Sequence, residues 1–286
     1  MAQNNKKKSC LPDLISCRKF ASYCLAEPDY GSDAANLNTR AVLSSDQRTY
    51  ILNGTKAFIS GGSMSDVYIV LARTGTSDSG AKGVTVFIVE KDTPGISFGS
   101  LENKMGWRTQ PTCNVIMDDC IEPVNNILGK TNHGFKIAMS MLNGSRINIS
   151  AAGIGAAITC YNKSVDYVKN RKQFSQTLSN LQSVQFKIAD MYSKIYVRRM
   201  CLYDAARSLD TQSISQTQTM IQVAVAKQLA TDLSYSAIDE SLQVHGYGYM
   251  KEHEIERYLR DTRVHKIQGV TSEIMQLLFG RYALRD

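Results

Sequence analysis

Chemistry in this chain has to come from a few short segments. The stretch Tyr23-Cys24-Leu25-Ala26-Glu27-Pro28-Asp29-Tyr30-Gly31-Ser32-Asp33 ends in a turn that offers backbone N–H groups and a hydroxyl, and Phe58-Ile59-Ser60 follows a β-prone run with a ring and a second hydroxyl. Further on stand Asn143-Gly144-Ser145-Arg146, Arg171-Lys172-Gln173-Phe174, Gln182, Gln243-Val244-His245-Gly246 and Thr271-Ser272-Glu273. Taken singly, each has a bland reading. A Gly-Ser-Asp turn is a common loop, a lone Phe on a hairpin is more often core, Arg171 suits a solvated helix, and His245 suits a packed loop. Only the ordered set carries weight, because coincidences at separated positions multiply. Metal chemistry has no support: the seven cysteines form no Cys-x-x-Cys pair and no zinc-like cluster with His. Their scatter reads as reduced thiols in an intracellular compartment.

The elements that must position these groups belong to an ordinary globular chain. At 286 residues, 43% hydrophobic and 21% charged, it is long enough for two domains. Apolar runs such as Val67–Ala72 and Val84–Val89 are of strand length, so no membrane span is expected. The net charge of +7 raises the question of nucleic acid, but the only run of three basic residues is Lys6-Lys7-Lys8 and the rest are dispersed among acidic ones. A mild positive excess suits anionic ligands such as dinucleotides and coenzyme A. The first nine residues are polar and carry neither a secretory h-region nor a clear targeting pattern.

From about residue 20 to 128 the sequence reads as strands. Tyr50-Ile51-Leu52 and Ala57-Phe58-Ile59 flank Asn53-Gly54, which predicts a hairpin there. Past Pro123, the last proline, the texture turns helical. Leu181, Val184, Ile188, Met191, Ile195, Leu202, Ala206 and Leu209 mark one long amphipathic helix, and Ile221, Val225, Leu229 and Leu233 a second. The expectation is an α+β, multidomain chain: a disordered tail over 1–10, a mostly antiparallel β domain over 11–128, and over 129–286 a C-terminal bundle of about four helices.

This order, with Tyr23–Asp33, Asn53-Gly54-Thr55-Lys56-Ala57-Phe58-Ile59-Ser60, Arg171–Phe174, Gln243–Gly246, Arg260-Asp261 and Thr271-Ser272-Glu273 in sequence, resembles the acyl-CoA dehydrogenase family. Arg146–Ile149, Phe58–Ser60 and Arg263-Val264-His265 are most similar to its branched-chain, isobutyryl-type members. The resemblance covers residues 11 to the C-terminus and implies a flavoprotein that holds FAD between its β and helical domains. It implies FAD contacts from Tyr23, Leu25, Ala26, Gly31, Ser32, Phe58, Ile59 and Ser60, and from Arg171, Gln173, Phe174, Gln182, Gln243, His245, Gly246, Thr271 and Glu273. Ser32, Asn143, Gly144, Ser145 and Arg146 would face the acyl-CoA. It further implies a homo-oligomer, an electron-transfer flavoprotein as electron acceptor, the mitochondrial matrix as location, and a preceding helical domain that this sequence does not contain.

The resemblance breaks at the base. Family chemistry removes an α-proton with a glutamate while the β-hydrogen leaves as hydride, and that glutamate occupies one of two seats. Here the seats hold Gly269 and Ser145. Loss of a general base costs about 10²- to 10⁴-fold in rate, so weak dehydrogenation of a short or branched acyl-CoA is expected. The alternative is a non-catalytic homologue that binds FAD, coenzyme A or a full-length partner subunit. Ala26, where the family has a threonine, also removes one hydroxyl from the flavin's surroundings.

Overall fold

The computed structural model describes residues 10–211 and 214–285. The Lys6–Lys8 run and all but the last residue of the expected disordered tail lie outside them. The chain forms two compact units, Met1–Lys104 with Arg108–Met141, and Met105–Trp107 with Leu142–Asp286.

The first unit is a sheet, as its alternating β-branched runs require. Its strands are β1 (Ala21–Cys24), β2 (Arg40–Leu43), β3 (Thr49–Ser60), β4 (Val67–Arg73), β5 (Val84–Glu90), β6 (Ile96–Phe98), β7 (Thr112–Pro123) and β8 (Ile127–Leu128). They pair in the order β6-β7-β3-β2-β4-β5-β8, with β1 alongside β4. All ladders are antiparallel except β1 with β4 and a single β2–β4 pairing. Leu52, Tyr68, Val70, Phe87, Val115 and Cys120 face inward and are fully buried.

The expected hairpin at Asn53-Gly54 does not form. Both residues sit inside the continuous strand β3, and the turn that reverses the chain is Ser44–Thr49, where Gln47 takes φ +56°. Long-range contacts override the local turn preference. The Asn53 side chain exchanges hydrogen bonds with Asp119 on β7 (Nδ2 to Oδ1, 2.9 Å; Asp119 N to Oδ1, 2.8 Å), and the β3–β7 register shifts between Leu52 and Gly54, the mark of a bulge. Gly54 has φ +149°, and a Cβ there would lie 2.7 Å from the Thr39 Cα. Gly54→Ala is therefore expected to cost about 1–3 kcal/mol in urea unfolding. Gly155→Ala is the control: it meets nothing within 4 Å inside a helix and should be neutral or slightly stabilising.

The second unit is helical. Its helices are α1 (Gly134–Asn170, which enters the unit at Leu142), α2 (Gln182–Thr211), α3 (Gln216–Val244), α4 (Ile255–Arg263) and α5 (Ser272–Ala283). A two-stranded hairpin, β9 (Lys172–Gln173) with β10 (Gln176–Thr177), joins α1 to α2. Ser215 and Gln218 form a capping box that starts α3. The α2 stripe is as expected, with Met191, Ile195 and Leu202 buried. On α3 the tightly buried line is instead Val223, Ala226, Lys227, Ala230, Ser234 and Ala237, while Ile221, Val225, Leu229 and Leu233 are half-buried. Among the described residues no helix is long and apolar enough to cross a membrane.

Candidate functional site

In the first unit a buried ion pair builds the site. Glu27 and Lys56 are 4% and 0% exposed, and Lys56 Nζ donates to Glu27 Oε1 at 2.8 Å and to the Leu25 carbonyl at 3.2 Å. The same carboxylate accepts the backbone N–H groups of Asn38 (2.6 Å) and Thr39 (2.9 Å). Burial works against the Glu27 charge, but the ammonium and these donors outweigh it and hold the carboxyl below its ordinary range. Together with the Ala57 N–H to Ala26 carbonyl bond at 2.9 Å, the pair clamps Leu25–Glu27 against β3.

The clamp sits beside a distortion of β3. The β3–β7 register shifts between Lys56 and Ile59, and Phe58 takes φ +58° with 69% of its surface exposed. A bulky residue in left-handed backbone with its ring in solvent is costly, and such strain concentrates at functional positions. Ile59, by contrast, is buried and anchors the bulge. Ser22 Oγ donates to the Ser60 carbonyl at 2.7 Å, which ties β1 to the far end of the same segment. Tyr23, Leu25 and Ala26 thus come together with Phe58, Ile59 and Ser60. Gly31 and Ser32 lie on the exposed loop after a turn closed by Glu27 and Tyr30, which exchange backbone hydrogen bonds.

The second unit carries two groups. In one, Ser145 and Gly269 adjoin: a Cβ built on Gly269 would stand 3.9 Å from Ser145 Oγ and 3.8 Å from Arg146 Cγ. Buried Arg146 donates from Nε to the Gly269 carbonyl (3.3 Å) and from Nη1 to Asn143 Oδ1 (3.0 Å), while Gly144 is exposed. Gly269 and Val270 both have positive φ, +67° and +82°. Lys227 Nζ holds this corner by donating to the Val270 carbonyl at 2.7 Å, and burial brings that ammonium down to about 8. Thr271 then caps α5 by accepting from Ile274 N, which puts Glu273 in the exposed first turn.

Packed on this unit are Met105–Trp107. Trp107 N donates to Asp261 Oδ1 at 2.6 Å, and its ring meets His265 edge-on at 5.2 Å. Burial takes the His265 imidazole down to about 4, so it is neutral at ordinary pH.

The other group gathers at a helix end. The Arg171 guanidinium lies 5.8 Å from the Tyr247 ring centroid, and buried His245 stacks on Tyr167 at 4.0 Å, with Gly246 opening the turn between them. Phe174 and Ser175 form the tip of the β9–β10 hairpin with φ of +51° and +60°, the primed-turn geometry, and Phe174 is 83% exposed next to Gln173. Gln182 and Gln243 take exposed positions on α2 and α3 and share none of these contacts.

The sequence reading assigned no role to Lys56, Lys227 or Trp107. A lysine on the inward-facing alternation of β3, after Leu52 and Gly54, was the available signal for the first. For Lys227 none existed, since its carbonyl partner is 43 residues away. No cluster of three or more metal-ligating side chains occurs among the described residues.

Comparison with known proteins shows the family. Residues 132–284 match the acyl-CoA dehydrogenase C-terminal domain and residues 22–120 its middle domain. The mitochondrial isobutyryl-CoA dehydrogenase of Dictyostelium discoideum is 49% identical over 282 residues, which are 98% of this chain and 66% of that protein. Its Bos taurus counterpart is 43% identical over 100% of this chain and 67% of its own length. The butyryl-CoA dehydrogenase structure from Megasphaera elsdenii superposes with a TM-score of 0.94 at 36% identity, covering 99% of this chain and 72% of that one. The chain thus spans about two thirds of the length of the curated relatives. Two domain matches that together take in nearly the whole sequence, and identities of this size, show that the chain belongs to the acyl-CoA dehydrogenase family.

Proposed function

We propose that the chain is an FAD-dependent acyl-CoA dehydrogenase of branched-chain or fatty-acid breakdown, acting on a short or branched acyl-CoA of the isobutyryl type, with turnover weakened by the residues at 145 and 269. The observation that carries this is the exposed, strained Phe58 held beside Leu25–Ala26 by the buried Lys56–Glu27 pair. Such a pair contributes little net stability, but it fixes an aromatic face and several backbone groups where a flat heteroaromatic ring can lie. These residues fit a flavin, with one hydroxyl fewer at Ala26. Bound FAD would supply the hydride acceptor for α,β-dehydrogenation.

The chain's own part is to bind and orient. Phe58 stacks, Ile59 and Ser60 offer backbone and hydroxyl groups, and Ser32 lies on the adjoining loop. Arg171, stacked on Tyr247, is a fixed cation suited to a diphosphate. The Gly269 N–H and the Ser145–Arg146 turn suit the thioester end of the substrate. In this reading the protein resides in the mitochondrion, as its relatives' names suggest, and within it in the matrix; it self-associates and passes electrons to an electron-transfer flavoprotein.

The adjoining glycine and serine favour a second reading, a non-catalytic homologue that binds FAD and acyl-CoA without oxidising it. One experiment separates the two. After reconstitution with FAD and desalting, absorbance should show bound flavin, and isobutyryl-CoA with an artificial acceptor should bleach it slowly. Bound flavin without bleaching selects the second reading, and no retained flavin at any FAD concentration rules out both.

A further inference from the structure

The corner built by Ser145, Gly269 and Val270 has room and charge for a small anion. A Cβ placed on Gly269 would meet nothing nearer than Arg146 Cγ at 3.8 Å, with Ile149 Cγ2 and Ser145 Oγ both at 3.9 Å. These are ordinary contact distances. Space for a side chain therefore opens at Gly269, apolar along Ile149 and the arginine stem and polar at the hydroxyl.

Three features draw negative charge to that space. Two buried cations hold consecutive carbonyls of the corner: Arg146 Nε donates to Gly269 at 3.3 Å and Lys227 Nζ to Val270 at 2.7 Å. Arg146 opposes the Lys227 charge, and Asp232, the acid that most favours it, is already engaged by Gln228 (2.6 Å), Ser272 (3.0 Å) and Lys266 (3.4 Å). Second, Gly269 and Val270 have φ of +67° and +82°, and among the described residues nothing accepts their N–H groups. Successive N–H groups in such a turn form a concavity that takes anions. Third, the Ser145 hydroxyl donates to the Leu142 carbonyl at 3.2 Å, long for an O–H···O bond, so it can turn to a better acceptor.

A glutamate side chain beyond its Cα is a propionate group, which sets the size of what fits at a glycine. We propose that this corner binds a free short-chain carboxylate, up to propionate in size, and that the bound carboxylate serves as the base that positions 145 and 269 do not provide. Its oxygen takes the proton as the α C–H bond of the acyl-CoA breaks, and that electron pair becomes the second Cα–Cβ bond. The β-hydrogen leaves with its own pair to FAD, so the acyl group is oxidised and the cofactor reduced. The carboxylic acid then dissociates and gives its proton to water. The catalytic half rests on the dehydrogenase reading above; the binding half stands on the corner alone.

Binding is read on flavin-free protein. The natural chain should broaden the carbon NMR signal of isotope-labelled propionate and leave that of bulkier pivalate sharp, and Gly269→Glu, whose own carboxylate fills the corner, should abolish the broadening. Should Gly269→Glu fail to fold by circular dichroism, Ser145→Leu closes the corner from the helix side and should abolish it as well. Catalysis is read on the chain reconstituted with FAD. Propionate should speed bleaching by isobutyryl-CoA at least roughly tenfold over chloride at the same ionic strength, part of the 10²- to 10⁴-fold that a positioned base gives, with saturation; pivalate should not. No broadening, or broadening unchanged in the variants, overturns the site. Bleaching that propionate leaves unmoved, although Gly269→Glu bleaches, overturns the catalytic half and spares the dehydrogenase reading. Broadening with retained flavin and no bleaching in either chain keeps the site and removes its catalytic half together with that reading.

Discussion

Gly269→Glu is expected to raise turnover of isobutyryl-CoA by roughly 10²- to 10⁴-fold over the natural chain, the range a positioned general base contributes. The structure leaves room for the change. A Cβ at 269 meets nothing nearer than the Arg146 Cγ at 3.8 Å, and the same corner can be reached from Ser145, whose Oγ is 3.9 Å away. Two positions more than a hundred residues apart therefore adjoin, and a carboxylate on either could serve the same space. Ser145→Glu is accordingly expected to give a gain as well. The cost at 269 is conformational: a non-glycine residue at φ +67° loses about 1–2 kcal/mol. That penalty should appear as a lower melting temperature without erasing the activity. Stopped-flow bleaching of bound flavin measures the step. Should both variants retain flavin and still leave it unbleached, the absent carboxylate is not what limits this chain, and the dehydrogenase reading loses its support.

Much of this was legible in the sequence, and the parts that were not share a cause. The β and helical halves, the strands from Val67 and Val84, and the long α2 followed from local periodicity, because each buries one face against a neighbour. Asn53-Gly54 misled because its turn preference is local, whereas Thr39 and Asp119, which hold it straight, come from other strands. On α3 the apolar residues Ile221, Val225, Leu229 and Leu233 flank the contact line, and the line itself is filled by alanine, serine, one valine and one lysine. Close helix packing selects small residues that a hydrophobic pattern does not register. The site motifs were readable as an ordered series, but the adjacency of Ser145 and Gly269, and the Lys56–Glu27 clamp, are properties of the folded chain.

The same reasoning exposes a weak point in α2. The apolar recurrence jumps by seven from Ile195 to Leu202, and the residue that fills the gap on the inward face is Arg198. It is fully buried, and Nε, Nη1 and Nη2 all lack a hydrogen-bond partner among the described residues. Burial alone pushes its guanidinium down to about 10, so the group stays charged at neutral pH in surroundings that oppose the charge. Replacing such a cation with an apolar side chain of similar volume removes that opposition, and Arg198→Met is expected to stabilise the helical unit by about 1–4 kcal/mol. The pH dependence gives the claim a second handle. Because the folded-state pKa is depressed to about 10, above that pH the unfolded chain binds the extra proton, and the penalty, complete below about pH 10, is relieved as pH rises past it. The difference in unfolding free energy between Arg198→Met and the natural chain should therefore be constant from pH 7 to 9 and shrink above pH 10. Chemical denaturation of the two proteins across that range provides the comparison. A variant less stable at pH 7, or a difference that does not narrow with alkali, would mean that Arg198 has a counter-charge in solution.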